Sequence, residues 1–182
     1  MCGRLRPVLF PIMAADLGFD CSCCGERHDS VPSAYQPEAP AYWSDALASD
    51  PNSLLEPELC VIGAEHFFIR GLIEVPVVDS DDVFAWGVWV SLSKDSFAKA
   101  LASWETPGRE THMPAFGWLS TELGLYSPST LNLKTNVHSR PVGERPVIEL
   151  EPTDHPLAVE QRNGITVERV RQIAEAIFHP GQ

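Results

Sequence analysis

Basic side chains are scarce in this sequence. Thirteen Lys and Arg stand against 25 Asp and Glu, for a formal charge of −12 and a pI near 4.8. Gripping nucleic acid requires a basic surface that displaces counterions from phosphates, so the balance argues against direct binding to DNA or RNA. No run reaches the ~18 consecutive apolar residues that a spanning helix needs. Internal repeats, coiled-coil heptads and low-complexity segments are missing. So are the compact catalytic signatures: there is no Gly-rich phosphate loop, no nucleophile elbow and no HExxH pair. Cysteine is limited to five residues, an odd number, with three bunched at Cys21, Cys23 and Cys24. A secreted disulfide scaffold would spread an even number over a shorter chain. The expected compartment is therefore a reducing cytoplasm.

What is present is ample core material. The 182 residues are 44% hydrophobic and include five Trp and eight Phe, which suits one globular domain. The segment Phe19–His28 reads as a short strand, a tight turn at Gly25 and a return strand. Two alternating segments follow later. In Glu65–Val75, Phe67 and Ile69 share one face and His66, Phe68 and Arg70 the other, with Gly71 suggesting a bulge. In Val83–Leu92, Phe84, Trp86, Val88 and Val90 face one way and Ala85, Gly87, Trp89 and Ser91 the other, as in a central strand of an antiparallel sheet. Leu131–His138 and Arg145–Glu151 are further strands. Helices are expected over 41–48, 93–104, 155–162 and 166–178, with Ser93, Asp154 and Thr166 as N-caps and an Asn163-Gly164 stop. The expected fold class is α+β: one domain over residues 19–180, an antiparallel sheet with flanking helices and an N-terminal zinc-knuckle-like hairpin. Residues 1–18 read as a disordered extension, with Met13 as an alternative start.

The cysteine cluster carries the sharpest chemistry. Zinc takes four tetrahedral ligands from thiolates and imidazoles. Cys21-x-x-Cys24-Gly25 has the spacing at which two thiolates hold one ion while turn amides support the sulfurs. His28 follows on the return strand. Cys60, on a short apolar strand, is the first choice for a fourth ligand and His66 the second; Cys23 is a spare thiol. With four protein ligands no position remains for an activated water, so the zinc would be structural. A redox pair fits less well, because a thioredoxin-like CxxC should open a helix, and here Gly25, Glu26 and Arg27 follow. The remaining alternatives are reduced surface thiols, with Cys60 as a small buried hydrophobe.

A second feature is the outward row Asn132, Lys134, Asn136 and His138, bordered by Trp89 and Trp118. It reads either as a solvated sheet face, with Lys134 against Glu149, or as a binding face with aromatic anchors. Asp154-His155 resembles a catalytic dyad, but helix capping by Asp154 explains it better. The overall expectation is a non-enzymatic binding or interaction protein stabilised by structural zinc, with a basic protein partner suggested by its charge. The rival is a metal-dependent enzyme using the cysteine cluster or the Asn132–His138 face.

Six stretches together resemble one family: Cys21–His28; Phe67-Phe-Ile-Arg-Gly71 leading to Glu74-Val-Pro76; Trp86–Ser93; Phe116-Gly-Trp-Leu-Ser120; Leu131-Asn-Leu-Lys134; and Glu149–Ala158. They are similar to the bacterial domain of unknown function family 2199 (DUF2199), from about Phe19 to Phe178. The resemblance implies a soluble, single-domain bacterial protein. It also implies that Cys21, Cys24 and His28 match the family's cysteine pair and following histidine.

Overall fold

The computed structural model describes residues 6–7, 19–21, 24–28 and 34–179. In chain order its strands are β1 (Arg6–Pro7), β2 (Phe19–Asp20), β3 (Arg27–His28), β4 (Ala34–Gln36), β5 (Leu54–Leu55), β6 (Leu59–Ile62), β7 (His66–Pro76), β8 (Val83–Leu92), β9 (Ala115–Leu119), β10 (Lys134–His138) and β11 (Val147–Leu150). Three α-helices are interleaved: α1 (Lys94–Ala102) after β8, then α2 (Pro156–Asn163) and α3 (Val167–Phe178) at the end.

The long alternating segments decide the architecture. β7 and β8 form a hairpin in continuous antiparallel register from Phe67↔Leu92 to Pro76↔Val83. Their alternation puts Ile69, Ile73 and Val75 beside Phe84, Trp86, Val88 and Val90 on one buried face. β9 pairs with β8, β10 with β9 and β11 with β10, all antiparallel. β11 then returns to β7 in parallel, at Val147↔Leu72. The result is a closed five-strand barrel, β7-β8-β9-β10-β11, with extra strands beyond it. The parallel seam corrects the all-antiparallel expectation, and its cause is parity. In an up-and-down series of five strands the first and fifth run the same way, so they can close only in parallel. A second parallel pair joins β4 to β8.

Gly71 sits at this seam. It pairs with Val88 without a break in register, so there is no bulge between β7 and β8. The glycine serves close approach instead. A Cβ there would lie 2.5 Å from Ile148 Cδ1 and 2.9 Å from the Pro146 carbonyl oxygen, while the Leu72 amide donates to that same oxygen at 2.9 Å.

The helices cover the barrel's two ends. Phe97 of α1 packs on Phe67 at the start of β7, ring centroids 5.2 Å apart. At the other end the Ile165 amide donates to the Pro76 carbonyl (2.8 Å), and Phe178 of α3 meets Tyr35 edge-on. Ser93 and Thr166 cap α1 and α3 as expected, accepting from the Ser96 and Arg169 amides. The α2 cap is His155 rather than Asp154: its Nδ1 accepts from the Leu157 amide at 3.1 Å, and its Nε2 lies 3.0 Å from the Pro128 carbonyl oxygen. Pro156 explains the shift, since a proline favours the first helical position and leaves the preceding residue as the cap. Residues 41–48 form a turn followed by a 3₁₀ segment (Asp45–Ser49) instead of an α-helix. On α1, Phe97 is buried but Leu101 is 41% exposed.

The outer face of β7 and β8 carries a separate small core. Cys60, Phe68 and Trp89 are buried together, with Trp43, Leu55 and Ile62 packed against them. Arg70 lies 4.6 Å over the Trp89 ring and donates from Nη2 to the Pro37 and Glu38 carbonyls. Of residues 1–18, Arg6 and Pro7 pair with Gln36 and Tyr35; the rest of the stretch, with Met13, lies outside the described residues, as do Cys2 and Cys23.

Candidate metal centre

The hairpin read from the sequence is present. β2 pairs with β3 through Phe19↔His28 and Asp20↔Arg27. Between them the Cys21 amide donates to the Glu26 carbonyl (2.9 Å), and the Gly25 amide donates to the Cys21 carbonyl (2.9 Å). Gly25 has φ +71°, a backbone region that glycine enters without steric cost. The turn therefore brings Cys21 and Cys24 to the same side. Cys21 is buried in the main core and Cys24 is exposed.

The third member comes from the far end of the chain. His179, the C-cap residue of α3, brings a ring nitrogen to the two sulfurs. One ligand atom from each of Cys21, Cys24 and His179 lies within 4.8 Å of the others. Around a tetrahedral zinc, sulfur and nitrogen ligands sit roughly 3.5–4 Å apart given bond lengths of about 2.0–2.3 Å. A spread of no more than 4.8 Å is compatible with such a ligated set. As thiols, the two cysteines influence each other. The amide of Glu26 favours the Cys24 thiolate, but desolvation and the hydrogen bond with the Cys21 thiol outweigh it and raise the Cys24 pKa. A divalent cation would reverse that preference, since it binds the deprotonated form.

The four residues expected as ligands fare differently. Cys21 and Cys24 come together. For His28 the backbone is described, and its side chain lies outside the described residues. Cys60 does not join them: it belongs to the apolar cluster with Phe68 and Trp89, fully buried, and burial pushes its thiol up to about 12. Its strand pairs with Phe68 on β7 and Leu55 on β5, which leaves no edge for the hairpin. His66, at the start of β7, is exposed and lines a different cleft with Tyr42, Phe68 and Trp118. Sequence reasoning missed His179. It recognised the residue only as a helix end, and a lone histidine beyond the last turn carries no local sign of a ligand.

The polar sheet face is real but differently composed. Lys134, Asn136 and His138 point outward from β10, while Thr135 and Val137 are buried. Asn132 lies before the strand in a left-handed turn (φ +62°), where its Oδ1 accepts from the Tyr42 hydroxyl (3.1 Å). Trp89 is fully buried under Arg70, so it presents no surface to this face. Trp118, opposite Lys134 on β9, is 41% exposed and stacks edge-on with Phe116. The register moves the ion pairs by one step from expectation. Asn136 faces Glu149, so Lys134 reaches Glu151 (3.9 Å) and His138 reaches Glu149 (2.8 Å).

Among the described residues, no helix is long and apolar enough to cross a membrane. No curated protein and no solved structure matches the chain. One family model does, that of the uncharacterized protein conserved in bacteria (DUF2199), over residues 20–165. The match takes in Cys21, Cys24 and the whole barrel, and stops before His179. With most of its length covered, this chain belongs to the DUF2199 family.

Proposed function

We propose that this chain is a small non-enzymatic binding protein whose N-terminal hairpin is closed by a structural zinc ion. The convergence of Cys21, Cys24 and His179 donors within 4.8 Å carries the reading. Two thiolates and an imidazole form a borderline-soft donor set that suits zinc over magnesium or calcium. In this reading His28, which follows on the return strand, is the fourth ligand. A closed set of four leaves no site for an activated water.

Binding then falls to the surface. The charge of −12 favours a basic protein partner through long-range attraction and sign complementarity. The exposed pair Phe116 and Trp118 supplies aromatic anchors of the kind that dominate interfaces. Elemental analysis of the purified protein tests the core of the proposal. The expected outcome is one zinc per chain, lost in Cys24→Ser and His179→Ala and retained in Cys60→Val. A native protein without metal would overturn it.

One observation favours a metal-dependent enzyme as the second reading. Cys24 is exposed, so an ion there has a solvent-facing side. The absorption spectrum of the cobalt-substituted protein separates the two: a four-coordinate band set unaffected by added anions supports the structural ion, and a set that shifts with azide supports an open position.

A further inference from the structure

At the barrel end away from His179, a cavity of about 620 Å³ opens between α1, the 104–114 loop and the barrel mouth. Its size falls within the ~300–1,000 Å³ typical of small-molecule sites. The floor is apolar, made by Ile69, Leu92 and Val137, all buried barrel residues, and Ala100 and Trp104 form a wall.

The charged part of the lining has one sign. Arg109 and Lys99 border the cavity, with His112 and three serines beside them, and no Asp or Glu does among the described residues. Arg109 is the unusual member. It is only 5% exposed, yet among the described residues its guanidinium has no carboxylate partner. Nε donates to the Arg140 carbonyl, Nη1 to Trp104, and Nη2 to Pro141 and Glu144. Four of the five N–H donors are thus met by neutral oxygens, and one on Nη1 is left. The group also lies 5.2 Å from the Trp104 ring centroid. Buried charges are normally paired with an opposite charge. Here hydrogen bonding is nearly complete while the net positive charge stays uncompensated beside an apolar, poorly screened space. Three of these bonds tie the loop to the β10–β11 connection and the fourth holds the Trp104 carbonyl, so the cavity is preformed.

We propose that this cavity binds a small amphipathic carboxylate, its hydrocarbon tail over Ile69, Leu92 and Val137 and its head group toward Lys99, His112 and the field of Arg109. The apolar floor selects the tail and the uncompensated cation selects the sign of the head. The local charge is what makes the site: on a chain of −12, an anion is repelled elsewhere. The site is independent of the proposed zinc and lies at the other end of the barrel.

Isothermal titration of the full-length, metal-replete protein with decanoate tests it, with decyltrimethylammonium as the same tail on a cation. The expected result is saturable one-to-one binding of decanoate, at least tenfold weaker binding of the ammonium, and at least fivefold loss of decanoate affinity in Lys99→Gln. Ala100→Trp, which fills the cavity from the helix side, is expected to abolish binding with the circular dichroism spectrum unchanged. Lys99 is exposed, so its variant keeps the test open if the tryptophan variant does not fold. No saturable decanoate binding, equal affinity for the two head groups, or undiminished binding in both variants would each overturn the proposal.

Discussion

Two buried tyrosines illustrate how much a single hydroxyl group depends on its partners. The Tyr126 hydroxyl donates to Glu160 Oε2 at 2.6 Å and accepts from Trp86 Nε1 at 3.1 Å. The Tyr35 hydroxyl is buried without a hydrogen-bond partner among the described residues. Tyr126→Phe leaves the Trp86 indole N–H unmet and takes one of two partners from Glu160, whose Oε1 keeps Arg169, and is expected to cost about 1–3 kcal/mol. Tyr35→Phe removes only an unmet polar atom, and urea unfolding should show it neutral or stabilising by about 1 kcal/mol. Burial raises the pKa of both phenols. Below the ordinary tyrosine pKa of about 10, folded and unfolded chains both hold the proton. Above it the unfolded chain releases the proton first, so it binds fewer protons than the native state and stability falls as pH rises. The alkaline limb of the stability profile should therefore be shallower in Tyr35→Phe than in the native chain. Cys60 makes the residue-scale contrast with Cys21. Both are buried, but only Cys21 faces other donors. The sequence favoured Cys21 through its CxxC spacing and offered Cys60 as a fourth ligand, because identity says nothing about which side chains a fold brings near.

At the scale of elements, the most constrained point is the barrel seam. Gly71→Ala forces a methyl group against Ile148 and the Pro146 carbonyl, where backbone cannot yield. A cost of about 1–3 kcal/mol is expected by denaturant titration, against less than about 0.5 kcal/mol for Gly124→Ala, which meets open space without positive φ. The α2 cap gives a second check. His155→Ala removes the bond from the Leu157 amide and the contact with Pro128, and should lower stability by about 1–2 kcal/mol. Asp154→Ala should be near neutral. Period-two alternation made β7, β8 and β10 and the parity of their two faces legible in advance, but not that the Phe68 and Trp89 face of β7 and β8 is buried as well. The closure was not legible, because the Val147↔Leu72 pairing joins residues far apart in sequence and leaves only an isolated glycine as its trace. That glycine suggests a bulge as readily as a close approach.

For the molecule as a whole, the proposed zinc would tie the β2–β3 hairpin to α3. Joining Cys21 and Cys24 to His179 closes nearly the whole chain into one loop, and long closures restrict the unfolded ensemble most. Chelation of the zinc-loaded protein should therefore lower the thermal midpoint by about 5–10 °C. Cys24→Ser should show no further drop on chelation, and differential scanning calorimetry reads both. The barrel's ends are chemically distinct in the same way. One carries the thiol and imidazole donors at the end of α3, and the other the apolar cavity under α1 with its uncompensated Arg109.

The amino-acid sequence by itself determined the local and patterned features of this protein. Among these are the acidic surface, the alternating strands, the caps at Ser93 and Thr166, the Cys21-Cys24 turn at Gly25, and the motifs that mark the family. Each depends on residues within a few positions of one another, so periodicity and side-chain chemistry are enough to reveal it. Tertiary structure alone decided the rest. It chose His179 over Cys60 beside the two thiols, buried Trp89 while leaving Trp118 exposed, set Lys134 against Glu151, and closed the five-strand barrel through one parallel seam. Those outcomes hang on which distant segments come into contact. That is settled by the packing of the whole core, for which no short window of sequence holds the information.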